Sequence, residues 1–164
     1  FLGAWTASNY AALACPDIPY CQNQWLPTMD FANGFNFLQS VGPNYLGGTL
    51  DNDARVAIHM THRLGAILLT VYLSGLLFTL YRAASRTDGM KPLRMAIWWV
   101  LAALVLQIML GISNVLWLFP LPIAVAHNAG GALLLVSVVY LNYRVYLLQN
   151  AGKSLNVSHE KGVL

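Results

Sequence analysis

The sequence predicts an all-α integral membrane protein. The expected architecture is a four-helix bundle of three complete transmembrane helices plus the end of a fourth, with a long outer loop carrying a disulfide. Three observations carry that prediction. Hydrophobic residues make up 57% of the 164 and charged residues 9%, against about 25% charged in an average soluble domain. So little charge cannot cover a water-facing surface. The charges are also segregated, with eighteen uncharged residues between Arg63 and Arg82 and forty-nine between Arg94 and Arg144. The apolar runs are each close to the roughly 20 residues that cross ~30 Å of hydrocarbon. The net charge of +3 does not signal nucleic acid, because the nine basic residues are scattered along the chain. Membrane lipid is the expected partner, and the same composition excludes a disordered chain.

Residues 1–14 are apolar but short and have no basic segment before them, so they do not read as a signal peptide. They are expected to be the end of a transmembrane helix whose beginning lies outside this chain. Residues 15–55 follow as an outer loop with Asp17, Asp30, Asp51 and Asp53 and a single basic residue, Arg55. Within it stands Cys15-Pro-Asp-Ile-Pro-Tyr-Cys21. A short loop with two prolines brings two sulfurs together, and an outer compartment permits their bond. A structural disulfide is the main expectation, and a redox-active pair or two free thiols are the alternatives.

Residues 56–147 hold the three complete spans, expected at about 56–82, 94–118 and 123–147. The stretch Phe119-Pro120-Leu121-Pro122 divides the longest uncharged run into the last two. Trp98, Trp99 and Trp117 sit near span ends, as interfacial aromatic residues do. The loop between the first two spans carries Arg82, Arg86, Lys91 and Arg94 against Asp88, and the tail at 148–164 adds Lys153 and Lys161. By the positive-inside rule both lie in the cytoplasm, and loop 15–55 lies outside. A bacterial cytoplasmic membrane is expected ahead of a mitochondrial inner membrane.

The histidines carry the chemistry, because ionisable groups inside spans are costly and functional by default. His62 and His127 lie a few residues inside the outer ends of two spans that run in the same direction. At 1.5 Å per residue both fall roughly 6–10 Å below the outer surface. Two facing imidazoles at one depth supply both axial ligands of a haem iron. His62 is followed at i+3 and i+4 by Gly65 and Ala66, and His127 by Gly130 and Gly131. These positions share the ligand's face, and the lack of bulk suits a flat macrocycle. The alternatives are close helix packing for the small residues and an interhelical hydrogen bond for either His taken alone. His59, one turn before His62, is a weaker candidate for cofactor binding. Arg63 is a candidate for a haem propionate, with lipid headgroups as the alternative, and Arg55 likewise. Gln107, Ser113 and Asn114 read as interhelical hydrogen-bonding groups, and His159 as a solvated tail residue. No catalytic residue is identifiable from these patterns, and no span contains the carboxylate that a non-haem iron site requires.

Ile58-His-Met-Thr-His62-Arg-Leu-Gly65-Ala, Leu106-Gln-Ile-Met-Leu-Gly111-Ile-Ser-Asn114 and Leu121-Pro-Ile-Ala-Val-Ala-His127-Asn, with the Cys15–Cys21 segment, resemble the heme A synthase family. The resemblance extends to about Tyr143 and is to the second half of an eight-span protein built from two similar four-helix halves. It implies an oxidoreductase that converts the C8 methyl of heme O to a formyl, giving heme A. It further implies that His62 and His127 hold a heme b cofactor. Heme O would be bound mainly by the other half, with heme O synthase and a quinol or other electron donor as partners. The family's first half carries a glutamate three residues before its first ligand; the matching residue here is His59. This half is therefore expected to relay electrons and to be inactive alone. The alternative is a bis-His b-type membrane cytochrome acting only in electron transfer.

Overall fold

A computed structural model describes residues 1–38, 50–87 and 89–161, with side chains described through 150. Asp88 and the side chains of Lys153, His159 and Lys161, used above to read orientation and the tail, lie outside the described residues. Among the described residues the protein is helical: α1 (Leu2–Ser8), a 3-10 turn (Ala11–Ala14), α2 (Phe31–Gly34), α3 (Asn52–Ser85), α4 (Lys91–Leu116) and α5 (Leu121–Lys161). No strand occurs among them, only an isolated bridge between Cys21 and Gln24. The last three helices are long and apolar enough to cross a membrane, the apolar part of α5 ending at Asn150.

The spans start and stop for local reasons. Asp53 in the first turn of α3 and Arg82 in its last complement the helix dipole. Lys91-Pro92 opens α4, where a proline costs no intrahelical bond. After α4, Leu118 and Phe119 take left-handed backbone conformations with φ of 53° and 63°. Phe119 N–H donates to the Asn114 carbonyl at 2.7 Å, which satisfies one of the terminal carbonyls. Pro120 and Pro122 then flank the start of α5, within the turn where proline is tolerated. Residues 1–14 form no continuous helix: α1 ends at Ser8, Asn9 leaves helical geometry, and Tyr10 is left-handed at φ 51°. The helix of α5 also runs on through residues 148–161, which the sequence presented as a tail. Polarity reports where the hydrocarbon ends; a backbone without proline is free to stay helical beyond that point.

The chain divides into two compact units, one comprising Phe1–Tyr72 with Met109–His127 and the other Leu73–Ile108 with Asn128–Leu164. In the second, Leu73 and Leu77 of α3 share an apolar core with Ile97, Val100 and Leu104 of α4 and Leu134 and Leu141 of α5. Their spacings of three, four and seven residues place them on one stripe of each helix. In the first unit a small core joins Ala14, Cys15, Cys21 and Val56, with Met29 and Met60 against it. In the most apolar window of each span only 11–28% of residues are buried within the chain, leaving the rest for lipid.

Candidate functional site

The first unit is organised around the beginning of α3. Ala54, Val56, Ala57 and Ile58 are all 0% exposed. Four nearly consecutive helical residues point in different directions, so the preceding loop must enclose this end of the helix from several sides. It does so by main-chain contacts. Asp30 N–H donates to the Asp53 carbonyl at 3.1 Å. A Cβ added at Gly34 would stand 2.7 Å from the Ala54 carbonyl oxygen, so α2 can seat here only with glycine at that position. The Trp5 indole N–H donates to the Gly34 carbonyl at 2.9 Å, tying α1 to the same place. Two turns further along α3 the picture reverses, with Leu64, Ile67, Leu68 and Val71 all exposed.

Cys15 and Cys21 form the disulfide, with Cα atoms 4.5 Å apart and both residues fully buried. The closed loop is gripped by Arg63. Its Nη2 donates to the Cys15 carbonyl and its Nη1 to the Tyr20 carbonyl, each at 2.8 Å. Its Nε donates to His59 Nε2 at 3.3 Å. The guanidinium thus spans both ends of the disulfide loop and the preceding turn of its own helix. His59 is buried, its Nε2 accepts from Arg63, and its Nδ1 makes no hydrogen bond. These are the positions the structure gives to the expected propionate partner and to the weaker cofactor candidate: both belong to the anchor of the disulfide loop.

His62 and His127 are half-buried members of this same unit, ten residues into α3 and six into α5. Each rests against a glycine of a neighbouring helix. The Cβ position at Gly3 of α1 lies 3.6 Å from His62 Cε1; that at Gly111 of α4 lies 3.1 Å from His127 Cε1 and 3.7 Å from its Nδ1. The Gly111 notch is filled by the His127 ring, which any larger residue would have to displace.

Of the small residues following the histidines, Gly65 and Gly131 are placed as the close-packing alternative expects. Gly65 receives the Leu2 side chain, whose Cδ1 would be 2.8 Å from an added Cβ. In the second unit Gly131 lies under the Gln107 amide at 3.4 Å. Both accommodate a neighbouring side chain. The glycines that accommodate the imidazoles, Gly3 and Gly111, come from other helices. Gly111 belongs to one of the strings quoted above, but nothing in its spacing marks it as the partner of His127.

Among the described residues no group of three or more His, Cys, Asp or Glu side chains is placed to hold a bare metal ion. A haem iron makes a smaller demand, since the porphyrin supplies four ligands and the protein two. A pair of imidazoles in one unit, one seated in a notch that a Cβ would fill, is a donor set that fits this need. Between Ala54 and Thr87 and between Lys91 and Asn150 there is no Asp or Glu.

The family model of the cytochrome oxidase assembly proteins matches residues 1–139. A heme A synthase of Shewanella oneidensis is 44% identical over 142 residues, which cover 87% of this chain and 41% of that protein. The chain therefore spans less than half the length of the curated relative it matches. No solved structure matches.

Proposed function

The chain belongs to the cytochrome oxidase assembly protein family, and from that membership we propose that it is the electron-relaying half of a heme A synthase. In this reading His62 and His127 hold a heme b through their ring nitrogens. The observation that carries it is that both imidazoles belong to one unit, with the His127 ring set into the Gly111 notch. When bound, the haem supplies one-electron carriage. His62 and His127 would hold the haem, the spans bring no carboxylate to it, and the Arg63 anchor fixes the outer end of α3. A haem held by two histidines would suit electron transfer. Oxidation of the C8 methyl of heme O then falls to the rest of such an enzyme, which also binds that substrate and meets heme O synthase and a quinol donor. The disulfide loop faces outward, while the basic loop after α3 and the end of α5 face the cytoplasm.

The test is spectroscopic. The protein purified in detergent from membranes is expected to show a Soret band and to release heme b on extraction. His62→Ala and His127→Ala should each abolish the low-spin spectrum. Survival of that spectrum in both variants would refute the ligand assignment.

A further inference from the structure

The loop before α3 carries apolar side chains that its own fold leaves uncovered. Leu38 is 94% exposed, and Phe37 is 61% exposed although aromatic rings hold it on one side. Apolar residues scattered singly over a surface need no explanation. These two need one because of the level at which they stand.

Contacts within the first unit fix that level. Ala14 and Cys15 share a core with Val56, at the start of the apolar part of α3. Further along, a Cβ at Gly3 would lie 3.6 Å from His62 Cε1, and one at Gly65 would meet the Leu2 side chain at 2.8 Å. Residues 15 back to 2 therefore pair with α3 residues 56 on to 65. The segment runs antiparallel to α3, and the first residues of α1 are its deepest. At 1.5 Å per residue, His62 and Gly65 stand roughly 9 and 13 Å beyond Val56 along the span. The Phe37 ring centroid is 4.9 Å from that of Trp5 and 5.8 Å from that of Phe1. Phe37 thus lies against the deep end of α1, beside the stretch of α3 that carries His62 and Gly65. At this level α3 exposes Leu64, Ile67 and Leu68 on a helix able to cross a membrane.

The chain reaches this level by a graded descent. Asp30 N–H donates to the Asp53 carbonyl, so Asp30 stands beside the polar start of α3. From there α2 leads through Phe31 and Phe35 to Phe37 and Leu38. Backbone donors along the way are satisfied internally. Gly34, Phe35 and Asn36 N–H donate to the carbonyls of Asp30, Phe31 and Asn33, and Leu38 N–H donates to Asn36 Oδ1. A segment that leaves water must satisfy such groups itself.

We infer that the loop returns to the membrane here, with the Phe37 and Leu38 side chains set among lipid acyl chains in the leaflet where α3 begins. The partner is lipid because the patch continues the exposed apolar surface of α3, and because the sequence has no charged residue between Asp30 and Asp51. Its backbone sits at the headgroup–acyl boundary, where apolar faces commonly bury to about 5–10 Å. Phe1 and Trp5 form the platform that holds Phe37 at depth, and the Trp5 indole bond to Gly34 ties α2 to that platform. The inference needs α3 to be a span and stands apart from any cofactor.

The test reads depth directly. Spin labels on Phe37→Cys, Leu38→Cys, Ile67→Cys and Gln24→Cys are measured in the whole chain, reconstituted in phosphatidylcholine–phosphatidylglycerol nanodiscs. The native cysteines are bonded to each other and do not take the label. Collision with oxygen reports lipid, and collision with a water-soluble nickel chelate reports water. Labels at 37 and 38 are expected to give an oxygen-to-nickel ratio near that of Ile67, exposed on the span, and well above that of Gln24, exposed in the loop. A nickel-dominated ratio matching Gln24 overturns the inference. A label shielded from both reagents overturns it as well, since protein would then cover the patch. Leu38 packs against almost nothing, so its label leaves the fold undisturbed and decides the matter even if Phe37→Cys fails to fold.

Discussion

Gly111→Ala probes the imidazole seat most directly. The added methyl would lie 3.1 Å from His127 Cε1, where ordinary contact begins at 3.4 Å, so the ring or α4 must yield by about 0.3 Å. Overpacking of this kind costs about 1–3 kcal/mol. In haem-free protein the ring can turn aside, so most of that cost falls on the loaded state, where a ligand must hold its position. At 1.4 kcal/mol per factor of ten, haem retention should weaken roughly 5- to 150-fold. Alanine also improves helix propensity by up to about 1 kcal/mol, but this acts on both states and drops out of the binding difference. Two controls separate the seat from a general effect. An added Cβ at Gly75 meets nothing within 4 Å, and at Gly3 it makes ordinary contact with His62 at 3.6 Å. The assay is transfer of haem to excess apomyoglobin, followed by absorbance. Gly111→Ala should release haem faster within that range, while Gly75→Ala and Gly3→Ala stay near the parent rate. If Gly111→Ala behaves like Gly75→Ala, the reasoning about the seat is wrong.

Arg63→Ala removes two charge-assisted bonds to the disulfide loop, each worth about 1.5–3 kcal/mol. Loss of even one should speed reduction of the buried Cys15–Cys21 bond by a phosphine roughly tenfold or more, measured by timed alkylation and mass spectrometry; an unchanged rate would show that the clamp does not hold the loop. Gly34→Ala pushes a methyl against the Ala54 carbonyl, a backbone atom that cannot rotate away. It should destabilise the docking of α2 by about 1–3 kcal/mol, seen as faster amide exchange at Asp30. Asp30 caps α2 by accepting from the Asn33 backbone N–H. That bond first, and the Asn33 side chain second, hold its pKa below 3.8. Because the folded value is depressed, this contribution is present at neutral pH and is lost as pH falls through the folded pKa. A carbon-13 titration of Asp30 should place its midpoint below the ordinary aspartate range, and a midpoint at or above 3.8 would refute the cap.

The three spans were legible because the bilayer enforces one rule, the exclusion of charge, and the runs bounded by Arg63, Arg82, Arg94 and Arg144 obey it. The disulfide was legible because five intervening residues, two of them prolines, leave few other geometries for Cys15 and Cys21. Helix limits were less so. Asn52, Asp53 and Arg55 are polar and belong to α3 all the same, since they extend past the apolar segment where composition carries no helical signal. The Arg63 anchor could not be read at all, because its acceptors are main-chain carbonyls, which every residue type possesses. Nor could the pairing of Gly111 with His127, which depends on how far one helix is rotated against another. Sequence spacing locates residues along a helix and leaves that rotation open, which is why Gly65 turned out to face Leu2.

Arg63 holds Cys15 and Tyr20 through their carbonyl oxygens, so it grips the contour of the loop, and the Asp17 carboxylate adds its charge beside the guanidinium. Asp17 also accepts from the Asn23 backbone N–H at 2.7 Å, and the Tyr20 ring packs edge-on against Trp25. A swapped-in loop of the same length and closure that keeps Asp17 and Tyr20 should therefore be accepted where a longer one is refused.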